Sequence, residues 1–322
     1  MRGWQVAGLA WALAGCAPDD DGLPEGSPLR DATKPLPETI GQLGLYPSAP
    51  DLTDVPAIAL GYTPSYPLYS NGSDKIRHLV VPDGARIDTS DPDAWVFPDG
   101  TLIFKTFAYD GVPVETRVLV KSPDDGQWGY AVYQWDDTGT DATLLSLEDR
   151  VAVPQDAGFS HTIPAELDCK LCHDTAEHPV LGLTHAQLSG TDGGDTLDPI
   201  ADALMDVPAV AAPIDTGDAA STELVRYFYG NCVHCHNGGR GDNASFDLRP
   251  DVALLNTIEQ PTQSSASADG IRIVPGDPST SILYLALSGE HDDPDLEDMP
   301  PVGIDLRDAT TITKLKTFIE SL

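Results

Sequence analysis

Two five-residue strings restrict this 322-residue chain more than anything else in it: Cys169-Lys170-Leu171-Cys172-His173 and Cys232-Val233-His234-Cys235-His236. Each spaces two thiols three residues apart and puts an imidazole directly after the second. On a helical turn, positions i, i+3 and i+4 share one face. Two sulfurs and one nitrogen therefore converge on one side of a short element. Such a triplet can bond two carbons along one porphyrin edge and set the histidine nitrogen beneath the iron, the signature of c-type haem attachment. The two strings use every cysteine except Cys16. The expected cofactors are two covalently bound haems c, with His173 and His236 as iron ligands.

Zinc is the main rival, since two CxxC pairs could build a four-thiolate site. The stretch from Cys172 to Cys232 is far longer than the roughly 15–20 residues of a zinc ribbon, however. Zinc also gives no reason for a histidine after both pairs. Disulfides are a third use of the thiols in an oxidising compartment.

The N-terminus reads as an address. Met1-Arg2 gives a positive start, and Val6 to Leu13 is an apolar run interrupted only by Gly8. That run is too short to cross a bilayer and fits the centre of a secretion signal. Leu13-Ala14-Gly15-Cys16 resembles the bacterial lipobox. The resemblance implies removal of residues 1–15, acylation of Cys16 and a lipid anchor on the periplasmic face of a bacterial membrane. Ala17 in place of Asp resembles lipoproteins released to the outer membrane. Residues 16–43, rich in Asp, Pro, Gly and Glu, are expected to form a flexible tether.

The formal charge is −33, from 51 acidic and 18 basic residues spread along the chain. That argues against nucleic-acid binding, which needs clustered Lys and Arg. It suits either a solvated surface or a partner with a basic docking face.

Residues 44–155 read as a β-rich domain. Lys75–Val81, Thr101–Tyr109, Val114–Lys121 and Trp128–Trp135 are short runs of β-branched and aromatic residues, separated by turn dipeptides such as Asp110-Gly111 and Asp125-Gly126. An antiparallel sandwich or small barrel is expected, with Trp95, Phe107, Trp128 and Trp135 as core and strand-face aromatics.

Residues 217–322 read as a helical domain holding the second string. Ser221–Tyr229 is a predicted helix capped by Asp218 or Ser221. Asp277-Pro278 opens another, which Gly289 stops, and a last helix starts near Asp308 with Ile312, Leu315, Ile319 and Leu322 on one stripe. Helix, CxxCH, loop, helix, Met loop and closing helix is the order of small class I cytochrome c domains, which this part resembles. The resemblance makes Met299 the sixth iron ligand, and a His/Met pair raises the potential relative to bis-His. The acidic residues around Asp292–Asp298 lack EF-hand spacing and read as a solvated loop.

Residues 156–216 carry the first string and are less legible. Met205 is taken first as the sixth ligand, ahead of His185, with His178, His161 and His78 as further candidates and an open iron as another outcome.

As a whole the chain resembles a family of bacterial dihaem c-type cytochrome lipoproteins. There a β-rich domain, with strings like Tyr66-Pro67-Leu68-Tyr69-Ser70-Asn71-Gly72-Ser73-Asp74-Lys75 and Phe97-Pro98-Asp99-Gly100-Thr101, precedes the haem segments. The resemblance implies a multidomain α+β fold and an electron carrier, not an enzyme, serving a redox partner or a membrane-associated oxidoreductase. Two alternatives stay open. One is a dihaem peroxidase-like enzyme with an open first haem. The other is a lipoprotein whose β domain binds a partner or polymer, with accessory haems.

Overall fold

A computed structural model describes residues 23–155, 158–174, 176, 178–189, 197–206, 211–238, 246–262 and 270–322. The expected leader, Cys16 and the start of the tether lie outside the described residues.

Asp110 and Gly111 both take positive φ, 49° and 81°. That pairing is the tight hairpin turn whose twist matches its strands. It joins β3 (Leu102–Tyr109) to β4 (Val112–Lys121). Around them β1 (Leu60–Gly61), β2 (Asp74–Val80), β5 (Trp128–Trp135) and β6 (Ala142–Leu144) complete a six-stranded antiparallel sheet in sequential order. The expected sandwich or barrel is thus corrected to one open meander. No second sheet is needed, because flanking chain covers both faces.

Strand alternation decides what each face meets. One face presents Phe104, Val118, Tyr133 and Trp135, which pack against Leu29, Ile40, Leu43 and Leu45. Ile40 and Leu43 belong to α1 (Ile40–Leu43), capped by Thr39. The tether expectation is therefore corrected from Leu23 onward. The apolar residues there are too sparse to show periodicity, yet each seats in the sheet.

The other face presents Leu79, Ile103 and Leu119. They pack against Val180, Leu183 and Leu188, and against Ile200 and Leu204 in and beside a 3-10 helix at Asp198–Ala203. Much of the segment expected as a first haem unit is therefore the cover of this sheet. A hairpin of β7 (Val151–Pro154) and β8 (Ser160–Ile163) straddles the boundary expected at residue 155. It leads into α2 (Glu166–His173), and α3 (His185–Leu188) follows. Trp95, Trp135 and Phe107 are buried, and Trp128 packs edge-on to Phe97, in line with the core reading of these aromatics.

The C-terminal part has its own core, where α4 (Ala219–Asn231), α5 (Ile282–Ser288) and α6 (Ala309–Ser321) bring together Val225, Phe228, Leu315 and Ile319. Asp218 caps α4 as expected, accepting from Ser221 N–H, and Gly289 ends α5 in the left-handed conformation. The helix expected from Pro278 is corrected: Asp277 accepts from Ser279 N–H at a 3-10 turn, Pro278–Thr280, and α5 begins at Ile282 after the extended Ser281. Asp308 accepts from Thr310 and Thr311 N–H at the start of α6. Phe318 is buried at the end of the α6 stripe, whereas Leu322 is 47% exposed. Among the described residues no helix is long and apolar enough to cross a membrane.

The string at residues 66–75 joins the two parts. Asn231, at the end of α4, accepts from Tyr69 N–H at 2.6 Å and donates to Pro67 O at 3.4 Å. Gly230 lies so close to this loop that a Cβ there would stand 2.5 Å from Tyr66 O. Asn71 accepts from Asp305 and Leu306 N–H, and Asp305 in turn accepts from Thr162 N–H.

Candidate functional site

Cys169, Cys172 and His173 all lie on α2, so the helical-face expectation holds there. Asp168 accepts from Ala165 N–H at the start of this helix and pairs with Arg150, which fixes its first turn. The second string takes another form. α4 ends at Asn231, and Cys232–Cys235 is a turn in which Cys235 N–H and His236 N–H both donate to Cys232 O, at 3.0 and 2.8 Å.

The two strings, distant in sequence, meet in space. The side-chain ligand atoms of Cys172, His234 and Cys235 lie within 4.8 Å of one another. Cys235 Sγ also rests 3.8 Å from Leu171 O. His234, inside the second string, thus stands beside Cys172 of the first.

A cleft with a cavity volume of about 150 Å³ runs beside α2. Its floor is the second face of the sheet, with Arg77, Lys105, Arg117 and Tyr130. Cys169, Cys172, His173 and His234 also line it, as do Pro300, Val302 and Ile304 from the loop that follows Met299.

His173 is oriented for ligation. Its Nδ1 stands 2.5 Å from Pro179 O. A carbonyl can only accept, so Nδ1 carries the proton and Nε2 keeps its lone pair, the arrangement usual for metal-binding histidines. Burial pushes its pKa down to about 4, so the ring is neutral at pH 7. Tyr130 packs against this ring at 5.5 Å and donates to Asp174 Oδ1 at 2.6 Å. His236 packs on Phe246 with ring centroids 4.4 Å apart. Its Nδ1 is buried without a hydrogen-bond partner, and burial holds this ring neutral too. A buried polar atom in that state calls for an explanation, of which an unplaced metal or ligand is one.

The thiols are held as neutral groups. Cys172 is raised by the adjacent Cys235 thiol and by burial. Burial raises Cys169, against the pull of Arg117, and takes Cys232 up to about 12.

The remaining candidates are spread out. Met299 is half-buried, and its N–H donates to Ala286 O at 2.9 Å. Beside it Asp298 pairs with Arg307 at 2.6 Å and with His291 at 3.2 Å, so the acidic loop is tied down at this point. Met205 is 59% exposed and its N–H bonds to Ile87 O, away from the cleft lining. Its neighbour Leu204 bridges to Ile87. His185 opens α3 with its N–H on Pro92 O. His78 lies on the opposite sheet face beside Tyr46. His161 lines the cleft, but both ring nitrogens are engaged, by Tyr109 at 2.9 Å and Glu115 at 2.8 Å. No family model, curated protein or solved structure matches the chain.

Proposed function

We propose that the chain is a dihaem c-type cytochrome that carries electrons, with one haem attached through Cys169 and Cys172 and the other through Cys232 and Cys235. The observation that carries this reading is the setting of His173. It is a neutral imidazole whose Nδ1–H is spent on Pro179 O, on the same helix as two thiols, lining the cleft. His236, directly after the second thiol pair, differs in that its buried Nδ1 has no hydrogen-bond partner among the described residues. Thioether formation suits these sulfurs, because a thioether stays neutral where burial penalises a thiolate. When bound, the haem iron supplies reversible one-electron oxidation and reduction.

The chain's own residues do the rest. His173 and His236 hold the irons from one side, and the Pro179 carbonyl fixes the tautomer of His173. Tyr130, Leu119 and Val180 shield the first site from water. Met299, on a loop pinned by Ala286 and Arg307, is the proposed sixth ligand at the second iron, within a cytochrome c-like C-terminal domain. The lipobox-like string places the carrier, by acylated Cys16, at the periplasmic face of a bacterial membrane, the outer one favoured. The acidic surface suits a redox partner with a basic docking face.

A soft metal held by Cys172, His234 and Cys235 is the second reading, favoured by their convergence. It supplies three ligands where structural zinc takes four. It also leaves Cys169, Cys232, His173 and His236 without a task. Intact mass and elemental analysis of the exported protein separate the two. Two haem additions without zinc are expected. Loss of one haem from Cys169→Ser/Cys172→Ser and of the other from Cys232→Ser/Cys235→Ser completes the assignment. Zinc without haem overturns it.

A further inference from the structure

Arg77, Lys105 and Arg117 sit directly opposite one another on β2, β3 and β4, as register pairs Arg77–Lys105 and Lys105–Arg117. Like charges in such positions repel. The chain carries only 18 basic residues against 51 acidic ones, so three cations in one cross-strand row are not a by-product of composition. All three line the cleft beside Cys169, Cys172 and His173.

The available carboxylates neutralise only one member of the row: the fully buried Glu115 pairs with Arg117 at 2.5 Å and also accepts from His161. Asp168 is taken by Arg150. Arg77 is only 7% exposed, and its guanidinium has one weak contact, to Lys75 O at 3.4 Å. Lys105 and Arg117 stack over the Phe107 ring, at 4.8 and 4.4 Å. Among the described residues no carboxylate pairs with Arg77 or Lys105. Lys75 adds a further amine beside the row, and the other polar groups lining the cleft include Tyr62, Tyr69, Tyr130, His161, His173, His234 and the α2 thiols, none of them an anion at neutral pH.

We propose that Arg77, Lys105 and Arg117 form an anion subsite that takes the carboxylates of the group attached at Cys169 and Cys172. The subsite rests on the haem reading above, since a haem carries two propionates. Planar guanidinium forks suit carboxylate geometry, and burial strengthens such charge-assisted bonds. The row then has a reason: burial and the flanking Arg77 and Arg117 hold Lys105 well below the usual lysine range in the bare chain, and the carboxylates of the cofactor would supply the missing counter-charge.

The sign of one substitution tests this. Lys105→Met is made in the full chain and in a Cys169→Ser/Cys172→Ser background, which lacks the first attachment. Melting temperature should fall in the haem-bearing chain, where a counter-ion is lost, and rise in the Cys→Ser background, where a buried amine without a counter-charge is removed. The same sign in both backgrounds overturns the proposal. Arg77→Gln repeats the comparison if Lys105→Met fails to fold. In the haem-bearing chain, either substitution should lower the midpoint potential of one haem only, because removing a nearby positive charge disfavours reduction. The exposed Lys316→Met serves as control, and unchanged potentials in an Arg77→Gln/Lys105→Met double variant also overturn the proposal. Inorganic phosphate and succinate titrated into the haem-bearing chain distinguish a free anion. No saturable stabilisation is expected, and one that depends on Lys105 would assign the row to a diffusible ligand and overturn the propionate assignment. Haem count by mass is read first, so that a chain without haem fails the functional reading and is not scored against the subsite.

Discussion

Gly230→Ala tests whether the β-rich part and the C-terminal helices are docked as described. The added Cβ would stand 2.5 Å from Tyr66 O, 3.0 Å from its carbonyl carbon and 3.3 Å from Pro67 O. All three are backbone atoms and cannot swing aside, so the loop or the helix must retreat by close to an ångström. Overpacking of this kind costs roughly 1–3 kcal/mol. The same retreat strains the Tyr69 N–H bond to Asn231 Oδ1, whose loss costs roughly 1 kcal/mol. Against this, alanine gains roughly 1 kcal/mol over glycine inside a helix. The balance is a destabilisation of about 1–3 kcal/mol, or several degrees in melting temperature at roughly 2–4 °C per kcal/mol. Calorimetry on the full chain measures it. Gly61→Ala is the control, since no atom lies within 4 Å of its Cβ position, and it should stay within about 0.5 kcal/mol of wild type. A Gly230→Ala protein as stable as wild type, or more stable by the unopposed helix gain, would refute the close approach of α4 to the Tyr66 loop.

Three further outcomes are expected. Met299→Ala should lower the potential of one haem and remove its Met–iron charge-transfer absorption; unchanged spectra would mean that another group serves that iron. Asp218→Ala should lower the midpoint of urea unfolding, because the carboxylate that accepts from Ser221 N–H at the start of α4 is lost. Burial holds His78 down to about 4, whereas its unfolded value is near 6.5. The unfolded chain therefore binds the extra proton between these values. Stability is lost as pH falls from about 6.5 towards 4, by up to about 3 kcal/mol. His78→Gln should flatten that part of the pH–stability curve, and an unaltered slope would place the acid sensitivity elsewhere.

What could be read from the sequence was local. The CxxCH spacing, the Asp218 cap, the Gly289 stop, the helix start near Asp308 and the β2–β5 strands follow from nearest-neighbour geometry, and they stand where the pattern puts them. Leu29, Ile40 and Leu43 escaped notice, because three scattered apolar residues among Pro, Gly and Asp carry no period, and only the sheet face they meet gives them a place. Met205 was chosen by its distance along the chain from His173, a criterion blind to its 59% exposure. The cation row was hidden for the same reason. Arg77, Lys105 and Arg117 come from three strands, and only strand register sets them side by side. One signal was available: each falls on the alternate positions that also carry Leu79, Ile103 and Leu119, so a charged residue was due on an otherwise apolar face.

The meeting of the two CxxCH strings also depends on long-range docking. Cys172 belongs to α2, which follows the β7–β8 hairpin. Cys235 belongs to the turn after α4. Nothing local brings them together. The contact is made by Asn231 on the Tyr66–Tyr69 loop and by Asp305 between Asn71 and Thr162. These residues touch no thiol and no imidazole of the attachment sites, yet they set how near the two sites lie. On the dihaem reading, electron exchange between the sites then needs no domain movement, because the sulfurs of Cys172 and Cys235 are already neighbours. On that reading the string at residues 66–75, which also lines the cleft through Tyr66, Leu68, Tyr69 and Ser70, fixes the spacing of the two attachment sites. A substitution there should disturb the coupling between the two potentials before it disturbs either haem's own ligation.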